Sequence, residues 1–232
     1  QYAKRLRQMG EEDWRIQVSG APSLDSIGMA DLISPGEVSS AFGIDPKSPS
    51  LLLTYHPVTL EAKDTEYHIT NLLDALGKLG VQCLFTYPNA DTNARIIIKR
   101  IEEYCQTHPL SRVVKTTGQY GYYSLMKTVS AMVGNSSSGI IEAASFELPV
   151  VNIGNRQKGR IQTRNVINCG YQQDEISEAI RKALEPTFKA GLRGLVNPYG
   201  DGHAAERIAA RLTEVQLNDE LLHKRFTDLT SA

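Results

Sequence analysis

Short apolar runs alternate with amphipathic segments along the middle of the chain, and this alternation predicts its secondary structure. Continuous apolar strands that alternate with helices indicate a parallel sheet covered on both faces, with ligand sites at the carboxyl ends of the strands. The predicted fold class is therefore α/β, a Rossmann-like parallel sheet. The predicted strands are 51–55, 81–86, 112–115, 131–133, a run opened by Pro149, and 165–168; the predicted helices are 64–79, 93–106, 120–129, one starting near Ser138, 174–183 and 204–213.

The first residues give a different pattern. Residues 1–10 predict a helix that ends at Gly10, and the alternation over residues 14–18 predicts a short strand.

A cluster of small polar residues separates the apolar run 131–133 from the helix that follows it. At such a strand-to-helix turn, free N–H groups and side-chain hydroxyls can hold an anion, which the helix dipole also favours. Ser136, Ser137 and Ser138 supply three consecutive hydroxyls, whereas the alternative, a simple helix cap, needs only one. The cluster therefore predicts a phosphate site.

Glu142 comes four residues after Ser138, so it is predicted to project from the same helix face. A carboxylate at that position can accept hydrogen bonds from both hydroxyls of a ribose. A glutamate in a first helical turn is also a common partner of the helix dipole without any ligand. The combination with the serines favours a nucleotide.

Charge and cysteine content narrow the range of partners. The 232 residues include 25 basic and 26 acidic side chains, which leaves no field that would gather nucleic acid or an anionic membrane. Cys83, Cys105 and Cys169 are widely separated, which is typical of a reducing cytosol and gives no metal-binding spacing. No apolar run reaches the length of a membrane span. We predict a cytoplasmic protein with a small ligand and with no metal or cofactor.

Five motifs together carry a resemblance to a known family. They are Tyr-His-Pro-Val-Thr at 55–59, Tyr-Pro-Asn-Ala-Asp at 87–91, Gly-Asn-Ser-Ser-Ser-Gly-Ile-Ile-Glu-Ala at 134–143, Leu-Pro-Val-Val-Asn-Ile-Gly-Asn-Arg-Gln-Lys-Gly-Arg at 148–160, and Asn-Pro-Tyr-Gly-Asp-Gly at 197–202. In this order they resemble the UDP-N-acetylglucosamine 2-epimerase family, and specifically its hydrolysing branch. The non-hydrolysing branch usually carries Asp-Ser-Gly-Gly at the central turn.

The resemblance implies the second domain of a two-domain, glycosyltransferase-B-type fold. Residues 1–30 would be the tail end of the N-terminal nucleotide-fold domain, and residues 31–200 the UDP-binding domain. The stretch around residues 24–43 would join the two domains. Residues 201–232 would be helices that pack back toward the first domain. The body of that first domain, with the acid and base carboxylates of the family, is expected outside this chain. Family members usually assemble as dimers or larger, so a homo-oligomer is implied.

His56 is the predicted catalytic residue. It follows the strand 51–55 at the ligand-binding edge, and imidazole can move a proton or, as imidazolium, stabilise a departing phosphate. A histidine that merely fills the turn is the alternative, but the resemblance makes His56 the catalytic histidine of the family. By resemblance, the UDP-binding residues are Asn89, the backbone near Val113 and Val114 for uracil, Ser136, Ser137 and Ser138 for the diphosphate, Glu142 for the ribose, and Arg156 as a cation.

The implied activity is the conversion of UDP-N-acetylglucosamine and water to N-acetylmannosamine and UDP, by elimination and then hydration, in sialic-acid-type biosynthesis. The residues leave open whether the sugar is N-acetylglucosamine or a diamino-trideoxy relative. Two alternatives also stay open: a nucleotide-sugar glycosyltransferase of the same architecture, and a module that binds a sugar nucleotide without turnover.

Overall fold

The computed structural model describes residues 1–29 and 31–228. The chain divides into two compact units, one made of residues 31–198 and the other of residues 1–29 together with residues 199–228. The larger unit contains the sheet.

Six parallel strands form one sheet in the order β3-β2-β1-β4-β5-β6. All five residues of the central strand β1 are buried, which agrees with its continuous apolar sequence. This sheet confirms the predicted α/β class. The strands are β1 (Ser50–Thr54), β2 (Gln82–Thr86), β3 (Ser111–Val114), β4 (Ala131–Gly134), β5 (Val150–Ile153) and β6 (Val166–Cys169).

Helices connect most of the strands, and three of them form a continuous apolar core with one face of the sheet: α4, α5 and α8 in the list that follows. The helices are α1 (Tyr2–Gln8), α2 (Pro22–Gly28), α3 (Pro35–Phe42), α4 (Thr65–Gly77), α5 (Ala94–Thr107), α6 (Gly118–Thr128), α7 (Ser138–Ile141), α8 (Gln173–Leu184), α9 (Pro186–Ala190), α10 (Ala204–Glu214) and α11 (Asp219–Leu222). In the described part of the chain, no helix combines the length and apolarity that a bilayer crossing requires.

The strand order reverses direction between β1 and β4, which pair in register with Leu51 opposite Ala131 and Leu53 opposite Val133. In open α/β sheets the crevice at such a reversal, outside the carboxyl ends of the strands, is where ligands bind. The turn after β1 carries His56, and the turn after β4 carries the serine cluster. The topology therefore brings both predicted sites to one point.

The smaller unit is helical, and there the prediction of a strand at residues 14–18 is wrong. Asp13–Arg15 instead forms a 3-10 turn. The Arg15 guanidinium lies over the Trp14 ring and donates to the carbonyl oxygen of Leu221 at 2.9 Å. All strands among the described residues belong to the sheet of the larger unit, and a strand at 14–18 would need a partner strand within its own unit.

The stretch 24–43, expected to join the two domains, contains most of α2 and all of α3, and α3 begins at a complete capping box between Ser34 and Glu37. One helical prediction needs correction. The helix predicted after Ser138 ends after one turn and continues as a 3-10 turn, Ala143–Phe146. Glu147 then adopts a left-handed conformation (φ 51°), which turns the chain toward β5.

Candidate functional site

Asn135 is the centre of the cluster at the switch point. Its side chain accepts a hydrogen bond from the His56 N–H at 2.7 Å and donates to the His56 carbonyl oxygen at 2.8 Å. Asn135 is completely buried, so this pair of bonds fixes the backbone after β1 against the backbone after β4. The direction of the His56 side chain is set by that backbone.

His56 is almost fully buried, with 5% of the residue surface exposed. Burial, with a further contribution from the nearby Arg156 charge, lowers the pKa of His56 to about 4, although Asp91 opposes the shift. The ring is therefore neutral at neutral pH. The backbone N–H of Asn89 donates to Nδ1 at 3.3 Å, which assigns the ring proton to Nε2.

A neutral, Nε2-protonated imidazole can donate a hydrogen bond or a proton to a leaving oxygen. Of the two roles considered for His56, proton transfer starts from this neutral form, and stabilisation as imidazolium first requires the ring to take up a proton. A bound anion beside the ring would favour the charged form and move the pKa of His56 back upward. Asn89, predicted to line the site, is exposed, and the contact that the structure gives it at His56 is made by its main chain.

Arg156 reaches the same centre from the loop after β5. Its Nη1 donates to the main-chain oxygen of Asn135 at 3.0 Å, and the Nε2 of Gln157 donates to that oxygen at 2.8 Å. Burial lowers the pKa of Arg156, but a guanidinium remains charged at neutral pH. A cation therefore lies next to His56 and the serine turn, where a diphosphate would be stabilised.

The three predicted serines form the turn between β4 and α7. The N–H of Ser138 donates to the Ser136 hydroxyl at 3.3 Å, and the carbonyl of Ser137 accepts from Ile140 and Ile141 to start the helix. Gly134 is needed here because its φ is 135° and a Cβ would lie 2.1 Å from the Thr54 carbonyl oxygen. Since α7 has only four residues, local N–H groups and hydroxyls, rather than a long helix dipole, are available to an anion.

Glu142 and Ser138 line a common cavity of about 420 Å³. Its other walls come from the carboxyl end of β2 and from α6 with the segment before it: Thr86, Lys115, Thr116, Thr117, Gly118, Gln119, Tyr122 and Tyr123. The cavity is large enough for a nucleoside. Val113 and Val114 lie in the edge strand β3 and do not line this cavity. The first residue after them that lines the cavity is Lys115.

A second, larger cavity of about 850 Å³ lies beside β6 and α8. Lys158 and Arg160 line it, together with Tyr171 and Glu178, whereas Arg156 does not. The loop after β5 thus presents Arg156 to Asn135 and Arg160 to a separate surface. Arg160 is exposed.

Sequence patterns did not identify three of the residues that organise the site. Asn135 was visible only as part of a polar turn, and Gln157 only as a residue of the loop. The Tyr122 hydroxyl makes hydrogen-bonding contact with the hydroxyls of Ser138, Thr54 and Ser136, and burial raises the pKa of Tyr122, so the group stays protonated. A tyrosine inside an amphipathic helix gives no signal of such a contact.

The parallel sheet and the polar cluster at its switch point define a nucleotide-binding class of α/β domain. The sequence model of the UDP-N-acetylglucosamine 2-epimerase family matches residues 1–213, and the chain belongs to that family. This match confirms the resemblance carried by the five motifs.

Curated relatives agree with the hydrolysing branch. The chain is 36% identical over 230 residues to the GDP/UDP-N,N'-diacetylbacillosamine 2-epimerase (hydrolyzing) of Campylobacter jejuni, covering 98% of the chain and 59% of that protein. It is 36% identical over 222 residues to the UDP-N,N'-diacetylbacillosamine 2-epimerase (hydrolyzing) of Legionella pneumophila, covering 95% and 57%. Identity to the UDP-N-acetylglucosamine 2-epimerase of Neisseria meningitidis is 29% over 236 residues. The chain thus spans less than two thirds of the length of these relatives.

Solved structures share the fold. UDP-GlcNAc 2-epimerase from Neisseria meningitidis, bound to UDP-GlcNAc, superposes with a TM-score of 0.77 at 15% identity over 92% of this chain and 59% of that one. Staphylococcus aureus MnaA in its UDP co-structure gives 0.73 at 16% identity over 91% and 56%. At such identities the likeness concerns the fold alone, and it confirms the predicted epimerase-like fold.

Proposed function

We propose that the intact protein is a hydrolysing 2-epimerase of UDP-linked 2-acetamido sugars. The observation that carries this proposal is the convergence of His56, Arg156 and the serine turn on Asn135 at the switch point of the sheet. A neutral imidazole, a cation and several hydroxyls around one point are the groups that the departure of a diphosphate requires.

In this proposal UDP binds with its ribose at Glu142 and its diphosphate at Ser136, Ser137 and Ser138. The uracil lies toward the segment after Val114, where the 420 Å³ cavity continues. Arg156 stabilises the negative charge that grows on the diphosphate as the bond to the anomeric carbon breaks. His56 supplies a hydrogen bond or a proton from Nε2 to the leaving oxygen.

The reaction proceeds by loss of UDP from the anomeric carbon and of a proton from the neighbouring carbon, which gives an unsaturated sugar. Water then adds to the double bond and yields the free 2-epimer. The carboxylates that move these protons are expected in the first domain of the family's two-domain fold. We retain the assignment of residues 31–200 as the UDP-binding domain, of residues 1–30 as the tail of the first domain, and of residues 201–232 as helices that pack toward it.

For the sugar we favour UDP-N,N'-diacetylbacillosamine, because the relatives named for it are 36% identical to this chain and the Neisseria UDP-N-acetylglucosamine enzyme is 29% identical. UDP-N-acetylglucosamine, which would give N-acetylmannosamine for sialic-acid-type biosynthesis, is the second candidate, and the description of the family supports it. A homo-oligomer and a cytoplasmic location stay predictions.

The test is to incubate the intact protein with each UDP-sugar and to measure free UDP together with the released sugar by mass spectrometry and NMR. Free UDP in equal amount to a free 2-epimer is expected, with one solvent deuterium at C2 when the reaction is run in D₂O. UDP release with transfer of the sugar to an acceptor would indicate a glycosyltransferase instead. Tight UDP binding without release from either sugar nucleotide would indicate a binding module.

A further inference from the structure

A polar cluster outside the proposed UDP site joins the loops that carry the residues of that site. Glu61, five residues after His56, accepts a hydrogen bond from the Tyr171 hydroxyl with one carboxylate oxygen and from the Asn155 side chain at 3.2 Å with the other. The backbone N–H of Asn155 donates to the same Tyr171 hydroxyl at 3.1 Å. Each of these three residues therefore contacts the other two.

Two close contacts hold the Tyr171 ring in place. It stacks on His68 of α4 with centroids 3.6 Å apart and planes 10° from parallel. The ring also packs against Gly154, where a Cβ would lie 2.1 Å from it. Any other residue at this position would therefore displace the ring. The φ of 73° also disfavours any residue other than glycine.

The cluster contains one charged carboxylate and lies close to a buried hydroxyl group. The hydrogen bond from Tyr171 lowers the pKa of Glu61, so the carboxylate is ionised at neutral pH. Near both Glu61 and Tyr171 lies the Tyr55 hydroxyl, which is buried and has no hydrogen-bond partner among the described residues. An unpartnered buried hydroxyl costs free energy, so the geometry here is not selected for stability alone.

The connections of this cluster to the proposed site are direct. The segment 57–64 continues from His56, and Asn155 is the residue before Arg156. Asn93, from the loop that also carries Asn89, donates to the Ala62 carbonyl at 2.8 Å. The loops after β1, β2, β5 and β6 are therefore joined through residues 61 and 62.

We propose that Glu61 and Tyr171 are positioning residues for the reaction proposed above, holding the His56 turn and the Arg156 loop at a fixed separation. Neither residue touches the nucleotide in this proposal. Their hydrogen bonds keep the imidazole and the guanidinium in fixed positions beside the leaving diphosphate. Displacement of such groups by about 1 Å lowers the rate much more than it lowers binding.

Two variants test this inference. Tyr171→Phe removes the hydroxyl but keeps the ring against His68 and Gly154, and Glu61→Gln leaves one acceptor oxygen for two donors. Matched controls on α4 are Tyr67→Phe, whose tyrosine is exposed, and Glu66→Gln, which removes only a surface ion pair with Arg100 at 3.8 Å. The intact protein is used throughout.

We expect kcat to fall about 10- to 100-fold in both variants, with KM changed by less than about threefold. The kcat of the double variant should be about equal to that of the slower single variant, since both substitutions remove the same contact. Hydrogen exchange measured by mass spectrometry should accelerate at 57–64 and 154–160, with the melting temperature close to that of the controls.

The outcomes separate this inference from the proposed function. If the unmodified protein releases no UDP from a sugar nucleotide, the proposed function fails, and the exchange measurement still tests whether the contact orders both loops. If the protein is active and the two variants match their controls in kcat and in exchange, the positioning role is excluded. A fall in kcat that only follows a loss of folded protein would also exclude it.

Discussion

The side chain of Asn135 forms two hydrogen bonds with the backbone of His56, 79 residues earlier in the chain. The main-chain oxygen of Asn135 accepts from Arg156 at 3.0 Å. One residue thus positions the proposed catalytic imidazole with its side chain and the proposed phosphate-binding cation with its backbone.

Replacing Asn135 by Asp should therefore impair catalysis without changing side-chain size. The carboxylate cannot donate to the His56 carbonyl and places a charge in a buried site, so we expect kcat to fall about 10- to 100-fold and stability to fall by about 1–3 kcal/mol. Steady-state kinetics and chemical denaturation measure the two effects. Asn168→Asp, at an exposed position of β6, is the control. Equal behaviour of the two variants would contradict the assigned role.

His56→Ala tests the imidazole itself. If Nε2 assists the departure of the diphosphate, turnover of the UDP-sugar should fall by a factor of about 10²–10⁴, while UDP affinity changes little. Initial rates of UDP release and calorimetric titration with UDP give the two numbers. Full specific activity in the folded fraction would instead mean that the histidine only fills the turn.

The buried imidazole should also leave a signature in the pH dependence of stability. The pKa of His56 is about 4 in the folded protein, against an ordinary value of 6.5, so the unfolded chain binds one more proton between these values. Stability is therefore retained above pH 6.5 and lost as the pH falls toward 4. We expect the unmodified protein to lose up to about 3 kcal/mol more than His56→Gln over this range.

Urea denaturation at pH 7 and at pH 4.5 measures this difference. Burial also lowers the pKa of His68, which contributes a loss in the same direction, and only a comparison between variants isolates His56. His223→Gln, at an exposed position, is the control. Parallel pH profiles for the His56 and His223 variants would mean that the His56 ring is not held neutral.

Glu142→Ala tests which cavity receives the nucleoside. A carboxylate that accepts both ribose hydroxyls contributes about 1.5–3 kcal/mol, so UDP affinity should fall by that amount. Glu178→Ala changes an exposed carboxylate of the larger cavity and should leave the affinity unchanged. Calorimetric titration with UDP measures the affinity of each variant. A loss of affinity in Glu178→Ala but not in Glu142→Ala would move the nucleoside to the cavity beside β6.

The six strands of the sheet and the meeting of the candidate site residues at its switch point could be predicted from sequence, because apolar runs and polar turns are local signals. The capping box of Ser34 and Glu37 was also a local signal, and it would have predicted α3. The role of Asn135 could not be predicted in this way, since its partners are main-chain atoms of a residue 79 positions away. The tautomer of His56 likewise depends on the main chain of Asn89, which only the fold brings near.

The short α7 shows a second limit of local patterns. Ile140, Ile141 and the alanines after them have helical spacing, but only Ser138–Ile141 forms an α-helix. The chain must turn at Glu147 to enter β5, and this requirement of the sheet outweighs the local preference. The alternation at residues 14–18 failed for a related reason, because a strand requires a partner strand.

The carboxylate of Asp25 accepts hydrogen bonds from the N–H groups of Ala204 and Ala205 at the start of α10, and the Ala204 bond is 2.9 Å long. The smaller unit is thus assembled from two segments separated by the whole of residues 31–198. During synthesis the larger unit can therefore fold while the ribosome is still making the second segment, whereas the smaller unit must wait for it. Until then α2 has no α10 to pack against, because this contact joins residues far apart in sequence and forms only after a long stretch of chain has closed on itself.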